Sequence, residues 1–312
     1  MNNALVTGAF GFVGQWMVKE LLNRGDNVIA IKHENSKLAN DWKIQDINLE
    51  EGDIRNYDFL AYVFEKYRPN VVFHLAAQAL VEEALKDPYT TMITNVGGTI
   101  NLLDCARIYG KPERIIVASS DKAYGNESAP YDENTPLNGR FPYDCSKSCT
   151  DLISQSYRDT YNMPISIMRC GNIFGGGDLN WNRVFPEAIK SCYDGRPMEI
   201  RSDGKSMLRD YIYIEDIISA YLFVAELDHN EIANISYGKT RNVLDILEAV
   251  QEKTRVCFSP KINNVAKCEI DVQCLDGNHI RSLGWNPEYN FDKGVSKTVD
   301  WYYNYFERNV GH

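Results

Sequence analysis

A hydroxyl, a carboxylate, an amine and a phenol gather in Ser119-Ser120-Asp121-Lys122-Ala123-Tyr124-Gly125 and the downstream Tyr143-Asp144-Cys145-Ser146-Lys147. The spacing lets one bound molecule meet all four groups. Tyr143 and Lys147 stand at i and i+4, which on a helix puts them on one face about one turn apart. A free tyrosine ionises near pH 10 and is a poor base at neutral pH. An ammonium beside it favours the phenolate, each pKa unit being worth about 1.4 kcal/mol. Such a pair is common by chance, so its weight depends on what surrounds it.

The surroundings begin with Thr7-Gly8-Ala9-Phe10-Gly11-Phe12-Val13-Gly14, a Gly-x-x-Gly-x-x-Gly turn. It lies between an apolar run, Ala4-Leu5-Val6, and a helical pattern from Trp16 to Arg24. Glycines allow the tight turn and close backbone approach that a pyrophosphate needs, and the helix N-terminus adds N–H groups and a positive dipole end. The turn therefore predicts a dinucleotide held by Gly8, Phe10, Gly11, Phe12, Val13 and Gly14. Gly52-Asp53-Ile54 follows the expected third strand, where Asp53 can accept from an adenine amine beside Ile54. Leu75-Ala76-Ala77 closes the fourth strand with residues that let a flat ring and ribose approach. An acidic residue usually ends the second strand and holds the 2′-hydroxyl of NAD. Here Lys32 and His33 stand first and Glu34 only beyond them. Cations suit a 2′-phosphate, so NAD and NADP both stay open, with these two residues tilting the expectation toward NADP.

Apolar runs at Val28–Ile31, Val71–Leu75, Arg114–Ala118 and Ile165–Arg169 alternate with helical patterns at 59–67 and 95–109. Continuous apolar strands separated by helices predict a parallel sheet covered on both faces, the doubly wound α/β (Rossmann) class. Beyond the glycine-rich 171–178 stretch, elements shorten and loops lengthen, which predicts a smaller C-terminal substrate domain. The expected division is 1–175 and 176–312, with the run 232–237 a candidate to return to the main sheet.

At 312 residues, 44% of them hydrophobic, the chain can bury a sizeable core as one large or two modest domains. The net charge of −10 comes with no basic stripe, which argues against nucleic acid as a partner. No apolar run reaches the roughly 18 residues that span a bilayer. The first strand starts at once, leaving no room for a signal peptide, so a cytoplasmic protein without a membrane partner is expected. Eight scattered cysteines without a C-x-x-C pair read as reduced thiols, and no metal site is expected.

Taken together these motifs resemble the extended short-chain dehydrogenase/reductases that act on nucleotide sugars. The resemblance runs through Gly8–Gly14, His74–Gln78, Asn95–Thr99, Ser120, Tyr143/Lys147, Arg209–Asp216 and Leu283–Pro287, nearly the whole chain. It implies that Ser120 hydrogen-bonds the sugar O4, that Tyr143 is the base for that hydroxyl, and that Lys147 holds the nicotinamide ribose. It adds Asn95 to the cofactor contacts, makes Gln78, Ser120, Asn172, Arg183 and Arg209 the candidate substrate contacts, and implies a homodimer through the Tyr143 helix. His74 reads as a satisfied strand-end histidine, and Trp181 as either a stacking platform for a base or a packing residue.

Family membership implies epimerase, dehydratase, decarboxylase or reductase chemistry. A 4,6-dehydratase needs a base and an acid at C5 and C6 of the sugar, and Asp121-Lys122 directly after Ser120 supplies such a pair. In this respect the chain is most similar to CDP-glucose 4,6-dehydratases. Arg209-Asp210-Tyr211-Ile212-Tyr213 resembles instead the loop of the epimerases. The expectation is a nucleotide-diphosphate-hexose 4,6-dehydratase, with a C4 epimerase or an NADPH-dependent 4-keto-sugar reductase as alternatives.

Overall fold

Residues 3–34, 47–265 and 270–309 are described by the computed structural model. The first strand, β1 (Asn3–Thr7), enters the glycine turn and leaves it in α1 (Phe12–Asn23). The Rossmann half continues through β2 (Asn27–Lys32), β3 (Asn48–Glu51), α2 (Tyr57–Tyr67), β4 (Val71–His74), α3 (Val81–Lys86), α4 (Pro88–Met92), α5 (Gly98–Cys105), β5 (Arg114–Ala118), α6 (Pro142–Tyr161) and β6 (Ile165–Cys170). Wide π turns at Ile93–Gly97 and Ala106–Gly110 flank α5. The rest comprises β7 (Asn172–Phe174), α7 (Val184–Asp194), β8 (Glu199–Ile200), β9 (Leu208–Tyr213), α8 (Ile214–Glu226), β10 (Ile232–Ile235), β11 (Thr240–Arg241), α9 (Val243–Thr254), β12 (Lys261–Ile262), β13 (Val272–Gln273), α10 (Asn278–Ser282) and α11 (Phe291–Asn309).

Seven strands form the main sheet in the order β10-β6-β5-β4-β1-β2-β3, every pair parallel. Apart from the edge strand β3, whose residues are half-buried or exposed, the strands bury both faces. In β1, Ala4 and Val6 join one core while Leu5 joins the other; in β2, Val28 and Ala30 oppose Ile29 and Ile31. That two-sided burial is why the strands read as continuous apolar runs rather than alternating ones. The strand order reverses direction between β1 and β4, and in such sheets ligands sit outside the carboxyl ends at that point.

Ile232–Ile235 lies against β6 as the last strand of this sheet, although it follows the start of the second lobe by many residues. The lobe has its own small sheet, in which β9 pairs with β7, β11 and β13, and a two-stranded pair, β8 with β12. Among the described residues no helix is long and apolar enough to cross a membrane.

Candidate active site

The glycine turn shows what each glycine is for. Gly8 has a φ of +67°, and a Cβ there would lie 2.8 Å from the Ala76 nitrogen. A Cβ on Gly14 would lie 2.0 Å from the Gly8 carbonyl oxygen. Gly8 is therefore demanded by the approach of the turn to the chain just after β4, and Gly14 by the packing of α1 on the turn itself. Gly11 differs: it is exposed and begins α1 with no side-chain cap. Helix N-terminal N–H groups without side-chain partners attract an anion, so the turn suits a pyrophosphate. Phe12, Val13, Leu75 and Ala77 line the adjoining cleft, while Phe10 and Ile54 are buried in the core.

At the adenosine end, the cations foreseen for a 2′-phosphate already face carboxylates. Lys32 Nζ donates to Glu51 Oε1 at 2.5 Å, and His33 Nε2 lies 3.3 Å from Asp53. Asp53 itself accepts from the Arg55 backbone N–H at 2.8 Å and from its guanidinium at 2.8 and 2.6 Å. Partial burial works against the charge on Asp53, but the Arg55 hydrogen bonds win and hold the carboxyl below its ordinary range.

The cleft beyond, about 450 Å³, runs from β1 and β4 across the ends of β5 and β6 to the second lobe. Ser120, Asp121, Lys122, Tyr143, Lys147, Asn172, Arg183 and Arg209 all line it. Ser120 begins a 3₁₀ turn over Asp121–Tyr124; its Oγ accepts from the Lys122 N–H at 3.2 Å and donates to Asp121 Oδ1 at 3.0 Å. Asp121 Oδ2 is buried and has no partner. On α6, Pro142 occupies the first turn, where its missing N–H costs nothing. Tyr143, Lys147, Asp151 and Ser154 then form one buried stripe toward the sheet.

Lys147 Nζ donates to the Ala118 carbonyl at 2.9 Å, and burial lowers its amine to about 8. Burial raises the Tyr143 phenol above its ordinary value. The strongest opposing influence is the Arg183 charge from the facing wall, followed by the hydrogen bond between Tyr143 and Ser120. The sequence reading gave that task to Lys147.

Several expected residues do other work. Asn95 is almost wholly buried, and its amide is spent inside the protein: Oδ1 accepts from Gln78 N–H at 2.8 Å, and Nδ2 donates to Gln78 O at 3.0 Å and Ser146 Oγ at 2.9 Å. Ser146 Oγ in turn donates to the Tyr143 carbonyl at 2.7 Å, so Asn95 braces α6. The Gln78 side chain closes its own turn onto the Leu80 backbone at 3.0 and 2.6 Å. His74 is satisfied, between Thr7 Oγ1 at 2.8 Å and Thr99 Oγ1 at 3.0 Å. Trp181 packs edge and face against Tyr302, Tyr305 and Phe306.

On the substrate wall, Asn172 Nδ2 is buried without a partner. Arg183 Nη1 lies 3.2 Å from Asp178 Oδ2, and Arg209 Nη1 donates to the carbonyls of Leu208 at 3.0 Å and Asp271 at 3.1 Å. Sequence reasoning missed Gln273, which accepts from Lys122, and Asp210, whose carboxyl burial raises to about 6. It also missed an Arg201–Glu82 ion pair between the two lobes at the cleft. Only chain folding brings these residues in, and no local motif marks them.

The GDP-mannose 4,6 dehydratase family model matches residues 5–298. A UDP-glucuronate 4-epimerase of Thermodesulfobacterium geofontis is 30% identical, over 96% of each chain. A CDP-glucose 4,6-dehydratase of Salmonella typhimurium is 27% identical, over 96% of this chain and 90% of that one. Among solved structures, a dTDP-glucose 4,6-dehydratase from Streptomyces venezuelae, crystallised with NAD, superposes with a TM-score of 0.89 at 27% identity, over 97% of each chain. Glycine turn, Ser120, Tyr143 and Lys147 meet in one cleft at the switch point of the sheet, and the chain belongs to the extended short-chain dehydrogenase/reductase family of NAD(P)-binding nucleotide-sugar dehydratases and epimerases.

Proposed function

We propose that the protein is a nucleotide-diphosphate-hexose 4,6-dehydratase, making a 4-keto-6-deoxy sugar nucleotide. The observation that carries this reading is the Asp121–Lys122 pair on the turn after Ser120, with both side chains at the cleft that holds Tyr143. Asp121 Oδ2 is buried and has no partner in the protein, which leaves it open to a sugar oxygen. The Lys122 amine is held by a neutral amide and not by a carboxylate.

In this reading Ser120 hydrogen-bonds O4 and Tyr143 removes the O4 proton. A nicotinamide bound beside Tyr143 and Lys147 would supply the acceptor for the C4 hydride and its return to C6. Lys147 holds the nicotinamide ribose. The new ketone acidifies C5–H. Lys122 takes that proton, the electron pair forms the C5–C6 double bond, and the C6–O bond breaks as Asp121 protonates the departing oxygen to water. Lys122 then returns its proton to C5, and the proton gained by Tyr143 replaces the one Asp121 lost. Arg209 and Arg183 would meet the diphosphate, with the amide of Asn172 in the same cleft; a guanidinium can meet phosphate oxygens in a bidentate fork. The carboxylate partners of Lys32 and His33 favour NAD over NADP.

The competing reading is a C4 epimerase, favoured by the Arg209–Tyr213 loop and supported by the epimerase among the relatives. Incubation with a panel of CDP-, dTDP-, GDP- and UDP-hexoses, read by mass spectrometry, separates them. Loss of one water marks the dehydratase; a product of unchanged mass marks the epimerase.

The active form is proposed to be a homodimer through α6 and its neighbours, supported by the exposed apolar side chains Leu85, Tyr89, Ile93, Ile100 and Leu152 on elements that pack together. Leu152→Arg is expected to yield monomers by sedimentation velocity, and an unchanged sedimentation coefficient would sink this interface.

A further inference from the structure

Lys122 and Gln273 lie 151 residues apart and meet across the two lobes, the lysine amine donating to the amide oxygen Oε1. Gln273 is wholly buried. Its strand β13 runs parallel to β9 with Gln273 opposite Arg209, which lines the cleft, and in a parallel ladder aligned residues share a face. The strand is also pinned to the turn that carries Lys122. Tyr131 donates its hydroxyl to the Val272 carbonyl at 3.1 Å and its N–H to the Cys274 carbonyl at 2.8 Å. The Tyr131 ring packs 5.0 Å from that of Tyr124, at the end of the same 3₁₀ turn.

The other half of the amide, Nε2, is buried without a partner. Nearly all buried polar side-chain atoms in folded proteins have one. Among the described residues the Lys122 amine is therefore the hydrogen-bond partner that fixes which way this amide faces: turned over, it would set N–H against N–H. The amide is thus held by one lysine and keeps a spare donor.

We infer that Gln273 is a positioning residue for the C5-proton base: its amide oxygen holds one hydrogen of the Lys122 amine and so aims the nitrogen into the cleft without adding charge. The inference rests on the proposed role of Lys122. A neutral acceptor is essential to it. A carboxylate at this position would hold the amine as ammonium and remove the lone pair that takes the proton, whereas an apolar residue would let the four-carbon stem swing. Other charged and titratable groups surround the amine: Asp121 on its own turn, Arg209 on β9, Tyr131 and Cys274 beside β13, and Tyr143 and Arg183 on the far wall, with Asp210 next to Arg209. All are unchanged in the variants below, so each variant isolates the amide.

Gln273→Glu, Gln273→Leu and Lys122→Met enzymes are compared by three readouts. Cofactor reduction in a single turnover reports C4 oxidation; solvent deuterium at C5 reports the base; and competitive acylation of Lys122, followed by peptide mass spectrometry, titrates the amine without substrate. Gln273→Glu is expected to shift the labelling curve of Lys122 to higher pH and to lower C5 exchange at neutral pH at least about tenfold, one pKa unit being one decade. The loss should be regained at alkaline pH. Gln273→Leu is expected to lower C5 exchange at every pH, and C4 oxidation should stay near wild type in both variants. One labelling curve and one exchange rate shared by wild type, Gln273→Glu and Gln273→Leu would overturn the inference. So would an equal slowing of C4 oxidation and C5 exchange without a change in pH profile, which marks a structural residue. If Lys122→Met keeps its C5 exchange, the base is another group, and the inference falls with the reading beneath it.

Discussion

Arg169 grips Asp151 with two parallel hydrogen bonds, Nε to Oδ2 and Nη2 to Oδ1, both 2.9 Å, and neither side chain reaches solvent to any useful extent. The pair joins β6 to the buried stripe of α6 that carries Tyr143 and Lys147. Ser119 donates to the same carboxylate at 2.7 Å, and Arg169 Nη1 donates to Tyr124 OH at 2.9 Å. Both ends of the Ser120–Lys122 loop are thus tied to α6, the helix that carries Tyr143.

Removing one member of this pair leaves a buried charge uncompensated, which costs about 3–5 kcal/mol. Asp151→Ala is expected to lower unfolding stability by that order in denaturant titrations. Arg169→Lys keeps the charge but loses the fork. It should fold, retain cofactor affinity, and lose kcat more than it raises KM, because the relation of Ser120 to Tyr143 is loosened. A variant with wild-type kcat would show the pair to be structural only.

Tyr143→Phe retains the ring and removes the proton acceptor. Cofactor reduction in a single turnover should slow by at least about a hundredfold, the usual contribution of a general base. A smaller loss with binding intact would assign the base elsewhere.

Asp121→Asn and Lys122→Met separate the two chemistries that the family performs. Both should still permit oxidation at C4 and then stall with a ketosugar that keeps its C6 oxygen. Deuterium should enter C5 in the Asp121 variant, where the base survives, and not in the Lys122 variant. The block in water elimination is expected to be about 10² to 10⁴ in rate. Little dependence on either residue and no C5 exchange would favour the epimerase.

Gly11→Val tests the anion site at α1. The turn leaves Gly11 room that Gly8 and Gly14 lack, its Cβ position meeting only the Gly8 carbonyl oxygen, at 3.2 Å. The variant should fold with near wild-type stability and lose dinucleotide affinity, read by isothermal titration calorimetry. Wild-type affinity would place the pyrophosphate elsewhere. Parallel titrations with NAD and NADP should favour NAD, since Glu51 stands against Lys32.

His74 gives the fold an acid limb. Thr7 Oγ1 already accepts from the Leu75 and Ala76 N–H groups, so its hydrogen goes to His74 Nδ1. Thr99 Oγ1 spends its own hydrogen on Asn95 O, so it accepts from His74 Nε2–H. The ring is therefore neutral, and burial lowers its pKa to about 3, with the Lys147 charge adding to the effect. In the unfolded chain the imidazole titrates near 6.5. The folded value is depressed, so the contribution to stability is complete above about pH 6.5 and is lost as pH falls toward 3, by about 1.4 kcal/mol per unit. Imidazole ¹⁵N spectra should show the Nε2–H tautomer at pH 5; a protonated ring at that pH would contradict the assignment.

Local patterns carry much of this protein. The glycine turn after Val6, the i, i+4 spacing of Tyr143 and Lys147, and the apolar strands are written in adjacent residues, because backbone conformation and two-sided burial act over a few positions. Family-specific motifs extend that reach to Ser120 and its neighbours. Other features are set by pairs that no spacing announces. The partner of Lys122 is 151 residues away, the neutrality of His74 depends on two threonines from different elements, and Asn95 looks outward in sequence but is consumed as a brace. Lys32 and His33 read as free cations until β3 brings Glu51 and Asp53 beside them. Residue types and short-range geometry thus determine which groups are present. Only the packed fold, by choosing which charges and hydrogen-bond partners face each other in a low-dielectric interior, decides what each group is able to do.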